Sequence, residues 1–157
     1  MSEGYAAGAT RAAMRAVEAP VRGVRTVRPA TTLADRCSAL LYRLGKEAFV
    51  CGPTAALLWG APLELRWERR GEIDVAVASP LRAPHATGIA GRSLALDPSI
   101  EVLSYPLGRL TTPARTWCDL GVVLELPDLV AVGDHLLHRG ICTAEALHDA
   151  VERYRSR

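Results

Sequence analysis

The chain has 157 residues, 49% of them hydrophobic and 23% charged, a balance that suits one core, with or without a small attached module, and excludes a disordered or fibrous chain. With one Phe, three Trp and four Tyr, most of the interior must be built from leucine, valine and alanine. The net charge of +2 conceals an asymmetry: residues 1–46 carry eight Lys and Arg against Glu3, Glu18 and Asp35, a net of +5, and the remainder carries eleven against fourteen, a net of −3. A polyanion would find its complement in the first third of the chain.

Residues 1–10 lack the basic stretch and apolar run of a signal peptide, which predicts a cytoplasmic protein. The most apolar stretch, 121–137, is interrupted by Glu125, Pro127, Asp128 and Asp134, too costly for a bilayer span, so no membrane partner is expected. The four cysteines, Cys37, Cys51, Cys118 and Cys142, form no C-x-x-C pair and are expected to be small buried apolar residues.

Taken in chain order, Thr10 caps a short helix on which Met14 and Val17 share one face while Arg11 and Arg15, four apart, share another. Pro20 ends it. From Val21 to Arg28 apolar and basic residues alternate around Gly23, the pattern of a two-faced ribbon with a turn and its arginines on one side. Thr32 followed by Asp35 is a capping-box variant, and Leu33, Cys37, Leu40, Leu41 and Leu44 fall on one helical face up to Gly45. A short buried strand over 48–51 turns at Gly52-Pro53 into a helix over 54–59, closed by Gly60 and Pro62. Residues 64–70, charged around Trp67, predict a loop or an edge strand. Strands follow over 73–78, 88–96 and 100–105. Thr112 and Pro113 open a helix containing Trp117 and Leu120. A longer helix spans 126–139 with Leu126, Val130, Gly133 and Leu137 as its apolar stripe, and a last helix from Thr143 turns Leu147, Val151 and Tyr154 inward.

Three constellations bear on function. The helix and arginine ribbon of 10–28 would neutralise phosphates in the manner of a helix beside a basic wing, with an ordinary solvated basic face as the competing reading. The strand, Gly52-Pro53-Thr54 turn, helix and second strand carrying Asp74 have the general layout of a nucleotidyltransferase, in which two strand carboxylates hold Mg²⁺. Ala76 stands where a second carboxylate after Asp74 would be, so a local partner for Asp74, rather than catalysis, is expected. Asp134, His135 and His138 on one helix, with His148 on the next, are short of a converging ligand set and suit a helix C-terminus better than a metal. No G-x-S-x-G turn is present. No metal or cofactor is expected.

The chain resembles the AbiEi-type antitoxins of type IV toxin-antitoxin systems and the actinobacterial proteins in which the same region precedes a DUF559 (Vsr-like) endonuclease domain. The resemblance rests on the 8–15 helix, the Pro20-Val21-Arg22-Gly23-Val24 ribbon, Thr54-Ala55-Ala56-Leu57-Leu58-Trp59-Gly60-Ala61-Pro62-Leu63, Leu110-Thr111-Thr112-Pro113-Ala114-Arg115-Thr116-Trp117-Cys118-Asp119-Leu120 and the 128–137 helix. Related sequences carry Ser-His at Cys51-Gly52, and more arginine in the central strands than Arg82 and Arg92. The resemblance implies an N-terminal winged helix on operator DNA and an α/β domain linked to antitoxin function. The end of the chain at Arg157 predicts that no nuclease domain follows.

Together these readings predict an α/β (α+β) chain: a reduced winged-helix-like module over 1–30, then over 31–157 a mixed sheet flanked by helices with a helical C-terminal segment. The expected function is that of a non-catalytic, DNA-binding, antitoxin-like transcriptional autorepressor. Thr10, Arg11, Arg15, Arg22, Arg25 and Arg28 would meet double-stranded operator DNA, and a toxin or nuclease encoded nearby would be a protein partner. The alternatives are a protein-interaction remnant of a nuclease protein that has lost its endonuclease domain, and a degenerate nucleotidyltransferase-like nucleotide binder.

Overall fold

A computed structural model of the chain describes residues 32–156 and the backbone of 18–21 and 24–26. The N-terminal strands β1 (Glu18–Val21) and β2 (Val24–Thr26) pair antiparallel, with Glu18 opposite Thr26 and Val21 opposite Val24. This hairpin lies against α1 (Leu33–Leu44). The expected helix over 10–17 falls outside the described residues.

α1 starts and stops where its sequence dictates. The Asp35 amide donates to Thr32 Oγ1 at 3.1 Å and the Thr32 amide donates to Asp35 Oδ2 at 3.0 Å, so both ends of the capping box are closed. At the other end Gly45 takes φ of 90°, a conformation that a side chain would strain, and its amide donates to Leu41 O. The helix buries Cys37, Leu40 and Leu41 against the sheet.

The sheet has five strands in the order β5-β4-β3-β7-β6: β3 (Phe49–Val50), β4 (Ile73–Ala78), β5 (Ile89–Leu94), β6 (Val102–Tyr105) and β7 (Gly108–Thr111). β3 runs antiparallel to β4 but parallel to β7, β4 runs parallel to β5, and β6 pairs antiparallel with β7, so the sheet is mixed. Strand alternation sorts the side chains between two faces. Val50, Ile73, Val75, Val77, Ile89 and Leu110 form one core with α1. Phe49, Cys51, Ala76 and Val102 form a second cluster, and Asp74, two residues before Ala76, belongs to that other face. β7 is not foreseen in the sequence reading, and 100–105 divides into a short helix and β6.

The helices between and after the strands are α2 (Gly52–Leu58), α3 (Leu65–Arg69), α4 (Pro98–Glu101), α5 (Pro113–Leu120), α6 (Leu126–His138) and α7 (Ala144–Arg155). α3 stands where a loop or edge strand is expected; the Arg66 and Arg70 guanidinium groups lie over Trp67, 5.4 and 5.8 Å from its ring centroid. α5 opens on the Thr112 hydroxyl, which accepts from the Arg115 amide, with Pro113 in the first turn. α6 buries Val132, Gly133 and Leu136, so that of the expected stripe Gly133 faces the core while Leu126, Val130 and Leu137 are exposed. The cause is Trp117, whose indole donates to Leu129 O at 2.8 Å and crosses so near Gly133 that a Cβ there would stand 3.0 Å from Nε1. α7 buries Leu147 as expected, and with it Ala150, whereas Val151 is only half-buried and Tyr154 is exposed. Among the described residues no helix is long and apolar enough to cross a membrane.

Candidate functional site

Of the six residues expected to meet DNA, Thr10, Arg11, Arg15, Arg22 and Arg28 lie outside the described residues, and Arg25 is described by its backbone alone, at the centre of β2. The backbone places Arg25 in an antiparallel ribbon packed beside α1.

The turn of the nucleotidyltransferase-like layout is a closed structural unit. Asp74 is 1% exposed; its Oδ2 accepts from Thr54 Oγ1 at 2.9 Å, and Thr54 Oγ1 in turn accepts from the Asp74 amide at 2.9 Å. Asp74 Oδ1 lies 3.3 Å from Arg70 Nη1 and 3.7 Å from Arg92 Nη2. Arg92 arrives by sheet register: it stands opposite Ala76 on β5, diagonal to Asp74. A carboxylate so surrounded ties α2 to β4 and balances two guanidinium groups. The local partner expected for Asp74 is therefore Thr54, reinforced by Arg70 and Arg92.

A second charged unit centres on Arg115, 3% exposed. Its Nη1 donates to Glu101 Oε1 and Ala95 O, both at 3.2 Å, and its Nε to Asp119 Oδ1 at 2.9 Å, while Cζ sits 4.9 Å over the Tyr154 ring. One side chain thereby joins the segment after β5, α4, α5 and α7. Burial works against the Arg115 charge, but Asp119 and Glu101 outweigh it and hold the guanidinium above its ordinary range. Burial also raises Asp119, which Arg115 offsets only in part. Asp119 Oδ2 is buried and receives no hydrogen bond among the described residues. The Thr-Pro-Ala-Arg-Thr stretch and its following Asp are thus structural in this chain.

Between the two units opens a cleft of about 340 Å³, solvent at its mouth included, lined among others by Cys51, Gly52, Arg92, Asp119 and Tyr154. The sequence reading missed it. The spacing of Arg115 and Asp119, four apart on one helix, is a visible signal, but the approach of Arg92 depends on the β4–β5 register.

The remaining candidates carry no assembled chemistry. Cys37 is pushed up to about 12 and Cys118 to about 11, in both cases chiefly by burial, and burial raises Cys51 as well. Cys37 and Cys51 are buried as expected, whereas Cys118 and Cys142 are half-buried. His135 and His138 fall in the last turn of α6, and among the described residues no three His, Cys, Asp or Glu side chains are grouped as metal ligands. No family model, curated protein or solved structure matches the chain.

Proposed function

We propose that this chain is a non-catalytic, DNA-binding, antitoxin-like transcriptional autorepressor, in which the N-terminal ribbon lies along a phosphate backbone. The observation that carries the reading is the antiparallel β1–β2 hairpin beside α1, with Arg25 in its second strand and a net charge of +5 over residues 1–46. A ribbon rich in guanidinium groups gains affinity by releasing counterions, so binding must weaken steeply as salt rises. The saturation of Asp74 by Thr54, Arg70 and Arg92 supports a non-catalytic role for the α/β part.

Fluorescence anisotropy with the duplex upstream of the gene tests the proposal. The expected result is salt-sensitive binding that Arg22→Glu with Arg25→Glu abolishes; full affinity in the double variant overturns it. A second reading, a protein-interaction module derived from a nuclease protein, is favoured by the apolar residues Val122, Leu126 and Val130, 68, 72 and 48% exposed at the start of α6 and just before it. Co-purification with the product of a neighbouring toxin or nuclease gene, lost on Leu126→Glu, distinguishes it.

A further inference from the structure

The two edges of the sheet are guarded unequally. β5 carries Arg92, and the Pro84 carbonyl crosses it so close to Gly91 that a Cβ there has no room, so a charge and a loop both discourage a further strand. β6 has neither guard. Among the described elements only β7 and the adjoining α4 pack extensively against it, no charged residue occurs from Val102 to Gly108, and the consecutive residues Leu103, Ser104, Tyr105 and Pro106 are all exposed. The Thr112 amide donates to Glu101 O, which sets the phase of the β6–β7 ladder. Leu103, opposite Leu110, and Tyr105, opposite Gly108, turn their amides and carbonyls toward β7, and Ser104 turns both of its own outward. Leu103 and Tyr105, 37 and 45% exposed, share the sheet face that carries α1, and the Tyr105 ring meets Trp59 edge to face at 5.5 Å.

We propose that β6 is the contact between two copies of this chain, paired antiparallel across a two-fold axis at Ser104 so that their sheets join into one. The edge is complementary to itself in this register. Each Ser104 amide donates to the Ser104 carbonyl of the other copy, and Leu103 of each lies opposite Tyr105 of the other in the closer, non-hydrogen-bonded pairing, which covers both apolar side chains. No like charges are forced together: Arg109, opposite Ser104 on β7, is separated from its counterpart by three strand spacings, ~14 Å, beyond the Debye length of ~8 Å. A strand this short buries less than the roughly 800 Å² per partner of a permanent dimer, so the association is weak. The pairing consumes the open edge of both copies and therefore stops at two. It is independent of the DNA-binding reading, and its test uses no DNA.

Sedimentation velocity of the full chain, from about 10 µM to about 1 mM, is the experiment; it gives a monomer–dimer equilibrium with Kd below about 1 mM and no larger species. Hydrogen–deuterium exchange read by mass spectrometry locates the contact: the peptide spanning 102–106 exchanges more slowly at the high concentration than at the low one, and peptides from β4 do not change. Ser104→Pro removes the outward amide and leaves the β6–β7 bonds in place, and Leu103→Lys puts a charge into the pairing. Each raises Kd about tenfold or more while the circular dichroism of the parent is kept. If Ser104→Pro does not fold, Leu103→Lys decides. A chain that stays monomeric at about 1 mM, an open-ended series of oligomers, concentration-independent exchange at 102–106, or undiminished association in a folded variant overturns the proposal.

Discussion

Replacing Arg115 with Met retains most of the side-chain bulk and removes the charge that Glu101 and Asp119 share. These carboxylates are 1 and 9% exposed, and stripping one partner from a buried charged network costs about 3–5 kcal/mol. For a chain of this size that lowers Tm by roughly 6–20 °C, at about 2–4 °C per kcal/mol. Urea unfolding followed by circular dichroism at pH 7 measures the loss directly. The pH dependence supplies an independent check. Burial already lifts Asp119 above the ordinary carboxylate range, and without the guanidinium it rises further. A carboxyl raised in the folded state holds its proton more tightly there than in the unfolded chain, so stability falls as pH rises through the folded value and is regained as pH falls toward the unfolded one. The deficit of Arg115→Met relative to the parent must therefore shrink between neutral pH and about pH 4, near the unperturbed carboxylate value. A loss below about 1 kcal/mol, within reach of an ordinary exposed pair, or a deficit that does not narrow on acidification, refutes the assignment of Arg115 as the charged tie of the fold.

Other changes follow from the same geometry. Thr54→Val preserves shape but deprives both Asp74 Oδ2 and the Asp74 amide of their partner, costing about 1–3 kcal/mol in denaturant unfolding. Gly91→Ala places a Cβ 1.7 Å from the Pro84 carbonyl oxygen; the backbone must move, and a fall in stability of at least about 1–3 kcal/mol is expected by thermal melting. Cys37, held up to about 12, carries roughly a thousandfold less thiolate at pH 8 than an ordinary thiol. Labelling with a chromogenic disulfide reagent must therefore be slow at Cys37 until urea opens the core, with half-buried Cys142 reacting ahead of it in the native chain. Thr32→Ala, which removes the capping hydroxyl of α1, lowers stability by about 1 kcal/mol.

The sequence was most legible where a local rule acts alone. Thr32 with Asp35 and Gly45 marked both ends of α1, Thr112-Pro113 marked the start of α5, and the β-branched residues on either side of Asp74 announced a strand. It was least legible where geometry is short or non-local. α3 is one turn and β7 only four residues beginning Gly108-Arg109, too brief for a period to show. α6 is apolar nearly all round, so its pattern did not decide which stripe would pack; Trp117 from the preceding helix decided it by lying across Gly133. The cleft was hidden for the same reason, since Arg92 meets Asp74 only through strand register, and Glu101 meets Arg115 across an intervening hairpin.

The pairing of Val50 with Leu110 has a consequence during synthesis. The middle strand of the sheet is two residues long and is flanked on one side by a segment that leaves the ribosome some sixty residues after it. Until that segment emerges, Phe49 and Val50 have β4 as their one strand partner, and the nascent chain exposes an apolar edge. Contacts this distant in sequence slow the search for the native state, so a nascent chain paused before β7 has emerged is the stage at which aggregation or recruitment of a chaperone is most expected.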